Sequence, residues 1–408
     1  MGQPARVPPA RVSFAPLAGV RVIDVTGSLA GPHCTEVLGA LGADVVKVER
    51  PDGGDDTRSW GPPFWDGEGT LFLAANANKR SLALRISDPR GLEALLRLAD
   101  RADVLVQSLR PGLAELSGFG PDPVRERNPR LVYCSIGAFG QSGPLRDAPG
   151  YDPLIQAVSG IMSVTGEAEG GPVRVGVSLV DYMTGMWAAL GIVAALGERK
   201  RTGCGAVVDT SLYETALGLM SYHLIGFVAT GTVPGRLGTE FPLIVPYQAF
   251  ATQDGHLMVA ATNDRLFRLL CLAIDLPELP EDPRFATNPA RVEHRVALGE
   301  ALGARLAEDS TGAWLERLGA AGVPAAPVQD VAATAAHPQT EALAMLEPEL
   351  RALGHALNVD GERIGNRARA PALGAHTLEL LLEAGYSSAE VDALVASGVA
   401  AIGNGPAR

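Results

Sequence analysis

Short apolar runs alternate with amphipathic segments over the first two hundred or so residues of the chain. Helical segments are predicted at residues 33–41, at residues 88–101 and after Asp181. Strand, helix and strand follow one another within about thirty residues at the start, as in a βαβ unit, which makes neighbouring strands parallel. The predicted fold is therefore a doubly wound α/β domain, with buried strands at residues 20–25, 44–48, 81–86, 104–107, 131–136 and 206–211.

The pattern changes after residue 222. Residues 247–261 predict a β-hairpin with Asp254-Gly255 as its turn, and helices are predicted at 264–274 and 291–306. Near the end, Ser387 and Glu390 have the spacing of a helix capping box. These features divide the chain into a large domain at 17–222, a linker at 223–246, a smaller α+β domain at 247–328 and a final part at 329–408.

Composition limits the classes of function. The net charge of −12 argues against a nucleic-acid partner, which would need clustered Lys and Arg. The four cysteines form no C-x-x-C pair, so neither a zinc site nor a disulfide framework is expected, and we predict a cytoplasmic location. Residues 1–16 lack the apolar segment of a signal peptide and are predicted to form a flexible tail.

No membrane partner is expected either. The longest apolar run, residues 182–196, is shorter than the ~20 residues of a membrane span and predicts a buried helix instead. The seven histidines show no zinc-protease spacing, and no G-x-S-x-G motif is present. Metal-assisted and serine-dependent hydrolysis therefore have no support in the sequence.

The loop after the first strand is predicted at residues 27–32. It lacks the G-x-G-x-x-G pattern of dinucleotide-binding loops, and Pro32 removes an N–H that a pyrophosphate would need. Glu49 nevertheless ends the second strand, where a ribose-binding acid would stand, so a nicotinamide site stays an alternative. In either case the loop lies at the carboxyl edge of the sheet, where such folds bind ligands.

Asp181 stands directly before an apolar helix and has two readings. Aspartate is a preferred helix N-cap, and capping alone would explain it. A carboxylate at a helix N-terminus can also act as a nucleophile, with nearby backbone amides stabilising the oxyanion that forms. The two roles do not exclude each other.

Arginines recur in loops that follow predicted strands. Arg50, Arg58, Arg110 and Arg146 all occupy such loops. If these loops share one edge of the sheet, the guanidinium groups would surround an anionic nucleotide.

Seven segments, taken in order, resemble the class III CoA-transferases, the CaiB/BaiF family of formyl-CoA transferase and the carnitine CoA-transferase. The similarity extends from residue 17 to about residue 374, and it is specific because the segments keep the family's order and spacing. They are residues 17–24, 30–32, 41–49, 78–81, 110–112, 150–152 and the Asp181-x-x-Thr-Gly185 motif.

The resemblance implies a Rossmann-like large domain built from both chain ends, so that residues 329–408 return to it. It also implies an interlocked homodimer. The family nucleophile is an aspartate at the position of Asp181, which forms an acyl anhydride and then an aspartyl-CoA thioester. The substrates would be an acyl-CoA, with succinyl-CoA expected as donor, and a free carboxylic acid. Coenzyme A would be a substrate, and no tightly bound cofactor is expected.

The resemblance further implies a coenzyme A site. Arg50 corresponds to a family arginine near the nucleotide, and Arg110 is expected to contact phosphate. The expected site is completed by adenine-pocket positions Ile86, Ser108 and Leu109, and by Ala30, Gly31, Arg146 and Tyr151.

Three departures from the family pattern concern substrate choice. Leu29 replaces a glutamine of formyl-CoA transferase, and Leu116 replaces an arginine that contacts CoA. The glycine-rich lid of that enzyme is missing, and its counterpart is expected within residues 235–246. These changes argue against formyl-CoA and oxalate as the substrate pair.

Two rival functions share the fold. An α-methylacyl-CoA racemase needs two acid–base groups, and Tyr151 stands where racemases of this fold carry a histidine. A non-catalytic CoA-binding protein is the other rival. A tyrosine, with an ordinary pKa near ~10, is a poor base at neutral pH, which argues against the racemase. The intact Asp181 segment argues against the non-catalytic protein.

Overall fold

The computed structural model describes residues 14–403. The N-terminal tail predicted at residues 1–16 lies outside this range except for its last three residues. Within the described range the strands are β1 (Arg21–Val25), β2 (Asp44–Glu49), β3 (Phe64–Trp65), β4 (Glu68–Gly69), β5 (Lys79–Leu84), β6 (Val104–Gln107), β7 (Val132–Gly137), β8 (Val207–Ser211), β9 (Tyr247–Ala251), β10 (His256–Ala260), β11 (Ala325–Pro327), β12 (Leu346–Glu347), β13 (Ala352–Leu353), β14 (Asn358–Val359), β15 (Glu362–Arg363) and β16 (Ala400–Ala401).

The helices of the same range connect these strands, and two short 3₁₀ helices occur at Asp56–Arg58 and Leu279–Glu281. The α-helices are α1 (Ala30–Ala40), α2 (Thr70–Leu73), α3 (Pro89–Ala99), α4 (Leu113–Leu116), α5 (Pro121–Arg127), α6 (Asp152–Val158), α7 (Ile161–Val164), α8 (Leu179–Thr202), α9 (Leu212–Leu219), α10 (Ser221–Thr230), α11 (Asp264–Ala273), α12 (Asn288–Glu293), α13 (Arg295–Leu306), α14 (Thr311–Ala320), α15 (Val331–Ala335), α16 (Pro338–Ala342), α17 (Thr377–Glu383) and α18 (Ser388–Ala396).

A seven-stranded sheet organises the larger part of the chain, with strand order β16-β5-β2-β1-β6-β7-β8. Every neighbouring pair is parallel except β16 on β5. The strand order runs outward from β1 in one direction to β2 and β5, and in the other direction to β6, β7 and β8. The mixed α/β fold is thus as predicted, and β1 marks the switch point where folds of this kind open a ligand crevice.

Two predicted boundaries move, each for a physical reason. Helix α1 begins at Ala30 and not at residue 33, because Pro32 occupies the first turn, where a helix needs no N–H from it. Strand β5 begins at Lys79 and not at residue 81, because the Lys79 ammonium is buried beside Asp24. The segment predicted as a loop at 27–32 therefore contains the first turn of α1.

Helix α8 packs along α1. Buried positions recur every fourth residue on one side of α8, from Val180 through Thr184 to Ala188. Gly185 permits the close approach, because a Cβ atom there would lie 2.6 Å from the carbonyl oxygen of Ala30. The contact between the two helices fixes the region around Asp181 relative to the loop that follows β1.

The other side of α8 is apolar and exposed. Met186, Trp187, Leu190 and Val193 are 38–58% exposed and form one stripe along the helix. The helix is also longer than the apolar run in the sequence, because residues 198–202 extend it. By length and hydropathy it is the one helix among residues 14–403 that could cross a membrane.

The described residues form two compact units. The larger contains residues 14–159, Gly176–Ser221 and 339–403, and the smaller contains Gly160–Val175 and Tyr222–Pro338. The segment Gly160–Val175 thus belongs to the smaller unit, although the sequence assigned it to the large domain. The C-terminal residues return to the larger unit, where Leu380, Leu381 and Val391 join the core beneath β5.

The smaller unit has its own core around Trp314 and an antiparallel sheet of order β11-β10-β9. Strands β9 and β10 form the predicted hairpin, with Tyr247 opposite Ala260. Arg291 is fully buried in this unit and donates hydrogen bonds to the carbonyl oxygens of Val245 and Phe285.

Candidate active site

A cavity of about 700 Å³ opens at the carboxyl ends of β1, β2, β5, β6 and β7 in the larger unit. This is the edge of the sheet at which doubly wound folds bind ligands. Gly27 and Ser108 follow β1 and β6, and a hydrogen bond of 3.3 Å from the Gly27 N–H to Ser108 Oγ joins their loops. Asp181 lies in the wall of this cavity.

Asp181 is not the cap of α8, as one reading of the sequence proposed. Ser178 occupies the N-cap position, and Asp181 stands in the first turn of the helix. Another carboxylate, Asp152, accepts the N–H groups of Val180 at 2.9 Å and of Asp181 at 3.3 Å. Asp152 thus satisfies the amides at the start of α8, and the side chain of Asp181 is left for the cavity.

Asp152 is itself held firmly. It begins α6 and is 2% exposed. The side-chain amide of Gln156 donates to Asp152 Oδ1 at 2.6 Å. On the other side, Thr184 Oγ1 donates to Val180 O at 2.7 Å, which keeps the first turn of α8 regular. The carboxylate of Asp152 therefore has a fixed position near Asp181.

Asp181 has an unusual titration. Burial raises its pKa, and the negative charge of Asp152 raises it further, to about 7. No salt bridge to Asp181 occurs within residues 14–403. The buried Asp24 of the same unit shows the opposite shift: burial would raise its pKa, but Lys79 and Lys47 outweigh it and hold that pKa at about 2.

The first amides of α1 lie in the wall of the same cavity as Asp181. Asp181 lies one helical turn before Gly185, so both are on the side of α8 that contacts Ala30. The N–H groups of Ala30 and Gly31 have no acceptor within α1, because they begin the helix. Both residues line the cavity together with Asp181. The partial positive charge at this helix end therefore lies in the same cavity wall as the carboxylate.

The expected adenine-pocket residues Ile86, Ser108 and Leu109 also line the cavity, as do Arg50, Arg110 and Tyr151. Arg50 is not free, since it forms an exposed ion pair with Asp56 at 2.5 Å. A bound nucleotide would have to compete with that carboxylate. Arg110 lies exposed on the opposite wall.

Two arginines named from the sequence are not in the cavity wall. Arg146 lies near Gly112, at 3.8 Å from the position of an added Cβ, but its guanidinium bonds Asp147 and the Gln141 carbonyl oxygen. Arg58 is buried and paired with Glu49 at 2.8 Å. Arg58 therefore has a structural role, and its spacing after a strand could not distinguish that role from ligand binding.

The hydrogen-bond partners of Glu49 also argue against a dinucleotide-binding site. Glu49 accepts hydrogen bonds from Arg58, from Ser81 Oγ at 2.7 Å and from the Asp55 N–H at 3.1 Å. Its carboxylate is therefore occupied and buried, and cannot bind a ribose. No cluster of three or more potential metal ligands occurs within residues 14–403.

Sequence reasoning missed several wall residues. Trp60 and Arg85 both line the cavity. Arg85 directly follows β5 and precedes Ile86, so the strand-end rule that selected Arg50 could have found it. Trp60 lies in an irregular segment with no periodic pattern, and it is 43% exposed.

The departures from the family pattern fall at different places. Leu29 is the N-cap residue of α1 and is 2% exposed, so it fills space behind the cavity wall. Leu116 is 87% exposed at the end of α4 and does not line the cavity. Residues 235–246 belong to the smaller unit and contain no regular helix or strand.

Comparison with known proteins shows similarity to CoA-transferases over most of the chain. The sequence model of "CoA-transferase family III" matches residues 17–377. Succinyl-CoA:glutarate CoA-transferase of Mus musculus is 39% identical over 395 residues, which is 95% of this chain and 91% of that protein. Acetyl-CoA:oxalate CoA-transferase of Acetobacter aceti is 41% identical over 332 residues, 81% of this chain and 85% of that one.

Solved structures are similar to this chain in fold as well. A CaiB/BaiF family protein from Brucella suis superposes with a TM-score of 0.82 at 36% identity, covering 91% of this chain and all of that one. A protein from Mycobacterium tuberculosis gives 0.80 at 32% identity, covering 89% of this chain and 98% of that one. The chain therefore belongs to CoA-transferase family III, the CaiB/BaiF family, as its motifs had indicated.

Proposed function

We propose that this protein transfers coenzyme A from an acyl-CoA to a free carboxylic acid, with Asp181 as the nucleophile. The observation that carries the proposal is the state of Asp181 in the cavity wall. Its carboxylate has no cationic partner among the described residues, and its pKa is raised to about 7. Such a group is more basic than an ordinary carboxylate and is ionised in a large fraction of molecules near neutral pH.

The reaction begins with attack of an Asp181 oxygen on the thioester carbonyl carbon. Collapse of the tetrahedral intermediate breaks the carbon–sulfur bond, which releases CoA thiolate and leaves an acyl anhydride on Asp181. The thiolate then attacks the Asp181 carbonyl carbon, which frees the donor acid and leaves an aspartyl-CoA thioester. The acceptor carboxylate attacks this thioester, which expels CoA thiolate and leaves a second anhydride between Asp181 and the acceptor acid. The thiolate then attacks the acceptor carbonyl carbon of that anhydride, which forms the new acyl-CoA and releases the Asp181 carboxylate.

The oxyanion of each tetrahedral intermediate needs hydrogen-bond donors. The amides of Val180 and Asp181 are already bound by Asp152, so they are not available. The Ala30 and Gly31 amides at the start of α1 are the donors that this arrangement offers. They are fixed by the packing of α1 on Gly185, so little reorganisation is required during the reaction.

For substrates we propose succinyl-CoA as donor and a small dicarboxylic acid as acceptor. The relatives support this choice by their names, which include succinyl-CoA:glutarate and succinyl-CoA:mesaconate CoA-transferases. Oxalate also belongs among the acceptors to be tested, because a relative acts on acetyl-CoA and oxalate. The sequence departures at Leu29 and Leu116 had argued against it.

The test is chemical trapping of the intermediate. The protein is incubated with succinyl-CoA and hydroxylamine, digested and analysed by mass spectrometry. A hydroxamate on Asp181 is expected, because hydroxylamine cleaves both an anhydride and an aspartyl thioester. Asp181→Asn should abolish trapping, whereas Asp209→Asn, which changes an acid of β8 outside the cavity wall, should retain it. A hydroxamate on any other residue would refute the proposed role of Asp181. So would the absence of any hydroxamate while the protein is converting succinyl-CoA.

We also propose that the protein functions as an interlocked homodimer. The support is the apolar stripe Met186–Val193 on α8, and the exposure of Tyr222, Ile225, Phe227 and Val228 on α10, whose described side chains are all unburied. Surfaces of this kind mark interaction sites. Trp187→Glu is expected to give monomers in sedimentation equilibrium. A wild-type protein that is monomeric, or that partitions into lipid vesicles through this stripe, would refute the proposal.

A further inference from the structure

Two lysines lie inside the sheet, directly beneath the loop that follows β1. Lys47 on β2 and Lys79 on β5 are 0% and 3% exposed as residues. Lys79 Nζ donates to Asp24 at 3.0 Å and to the Pro32 carbonyl oxygen at 2.8 Å. Buried lysines are rare unless they are paired, and each of these has a carboxylate partner.

Lys47 and Asp55 join three separate segments. Lys47 Nζ donates to Asp55 Oδ2 at 2.9 Å and to the Thr26 carbonyl oxygen at 3.1 Å. Asp55 Oδ1 accepts the N–H of Thr57 at 3.0 Å and the N–H of Ser28 at 3.4 Å. One ion pair thus connects β2, the loop after β1 and the turn that begins the first 3₁₀ helix.

The connected segments form one side of the cavity. Thr26, Gly27, Ser28, Gly54 and Asp55 all line it, whereas Lys47 lies behind the wall. Ser28 has a φ of 67°, which is uncommon for a residue with a side chain. The Asp55 carboxylate binds the Ser28 amide and so helps to maintain this backbone conformation.

The charges of this pair are retained in the folded protein. Burial alone would raise the pKa of Asp55, but Lys47 and hydrogen bonds from Thr57 outweigh it and lower that pKa. Burial would lower the pKa of Lys47, but Asp24, Asp55 and Glu49 outweigh it and raise that pKa. Removal of either partner would leave an uncompensated charge behind the wall.

We infer that Lys47 and Asp55 are positioning residues for coenzyme A: they hold the Thr26–Ser28 wall in the one conformation that admits the ligand. The inference rests on the proposed function, because it assigns CoA to this cavity. Neither side chain needs to touch the reacting atoms. Their effect is exerted through the backbone of the loop and, further along it, through the start of α1.

A second ion pair, with a buried cation and a partly exposed acid, supplies the control. Arg199 Nη2 and Asp103 Oδ1 are 2.8 Å apart, and Asp103 precedes β6 at the opposite, amino-terminal edge of the same sheet. Asp103→Asn and Asp55→Asn each neutralise an acid that pairs with a buried cation. Both should lower stability, but only Asp55 is connected to the cavity wall.

The experiment measures binding of coenzyme A itself by titration calorimetry to wild type, Asp55→Asn, Lys47→Met/Asp55→Asn and Asp103→Asn. Binding is expected to weaken about tenfold or more in both Asp55 variants, since a ligand site must be held within about 0.5 Å. It should stay within about twofold of wild type in Asp103→Asn. Hydrogen exchange of residues 26–31 should accelerate only in the Asp55 variants.

The affinities of the variants for CoA decide whether Asp55 positions the cavity wall. Equal affinity in Asp55→Asn and wild type, or an equal loss in Asp103→Asn, would overturn the inference. If both Asp55 variants fail to fold, unaltered exchange at residues 26–31 in Lys47→Arg, which keeps the charge but not the geometry, would overturn it too. A wild-type protein that binds no CoA would overturn the proposed function, and this inference with it.

Discussion

Neighbouring charges separate the carboxylates of the larger unit into two kinds. Asp24, Asp55 and Glu49 are buried next to lysine or arginine, and those cations outweigh burial and lower each pKa. Asp181 is partly buried next to another carboxylate, Asp152, and its pKa rises. Burial is thus common to all four, and the sign of the nearest charge decides whether the pKa of each acid falls or rises.

The raised pKa of Asp181 predicts an acid limb in the rate. The proposed nucleophile, Asp181, attacks only in its ionised form, so kcat/KM for the acyl-CoA should fall about tenfold per pH unit below a midpoint near the pKa of about 7. Asp152→Asn should move the midpoint to lower pH, because it removes the negative neighbour while Gln156 can turn its amide to accept the new N–H. A pH–rate profile of both proteins measures this, and an identical midpoint would contradict it.

The same shift predicts that Asp181 destabilises the fold at high pH. Its pKa in the folded state lies above the ordinary value of 3.8, so the folded state loses stability as the pH rises from about 4 to about 7. Asp181→Asn should therefore raise the free energy of unfolding at pH 8 by on the order of 2–4 kcal/mol. Denaturant unfolding at pH 8 and pH 5 tests this. If the gain in unfolding free energy of Asp181→Asn were as large at pH 5 as at pH 8, it would not come from the ionisation of Asp181.

Among the elements, helix α8 combines the reactive group with the packing that positions it. Asp181 and Gly185 lie one turn apart, and Gly185 brings α1 close enough for its first amides to line the same cavity. The long apolar helix α8 therefore combines three features. Its first turn carries Asp181, the proposed nucleophile, one side packs on α1, and the other side presents the exposed apolar stripe.

Two glycines of α8 predict opposite effects of one substitution. Gly185→Ala would place a Cβ atom 2.6 Å from the Ala30 carbonyl oxygen, so α1 must move. We expect a loss of about 1–3 kcal/mol in unfolding free energy and weaker CoA binding. Gly197→Ala meets no atom within 4 Å and should stabilise the helix by about 0.5–1 kcal/mol. Thermal unfolding and CoA titration of both variants test this, and equal signs would contradict it.

The elements also indicate what sequence can predict. Apolar runs located the central strands of the sheet, but Lys79 and Arg80 hid the start of β5, because charged residues argue against a buried strand. Lys79 enters the sheet only because Asp24, which is 55 positions earlier, lies beside it. Pairings at such distance cannot be read from local periodicity.

The candidate site, too, could be predicted from the sequence only in part. Asp181 and the loop residues at strand ends were accessible to sequence reasoning, because the carboxyl edge of a parallel sheet gathers them. Asp152 as the partner of the α8 amides was not, since it is 29 positions away and only the packing of α6 on α8 brings it there. Arg58 and Arg146 satisfied the same spacing rule but are bound to other groups.

At the scale of the whole molecule, the larger unit is assembled from distant parts of the chain. Residues 339–403 add α17 and α18 to its core and β16 to the edge of its sheet. The hydrophobic cluster beneath β5 includes Leu82 from one part and Leu380 from the other, with both 0% exposed. The integrity of the larger unit therefore depends on residues near the end of the chain.

Two leucines of α17 test that dependence. Leu380→Ala should destabilise the larger unit by about 2–5 kcal/mol, because it opens a cavity in the core. Leu382→Ala, at a position that is 42% exposed on the same helix, should change stability much less. Calorimetry of both variants is the measurement, with comparable shifts in melting temperature as the contradicting result.

The position of β16 has a consequence for biosynthesis. Strand β5 can form its antiparallel pairing with Ala400 and Ala401 only after those two residues have been translated, more than 300 positions after the strand itself. The smaller unit, most of which comes from Tyr222–Pro338, can complete its own core earlier. A ribosome-bound chain that stops short of Ala400 would hence leave the β5 edge of the sheet unpaired and open to chaperones.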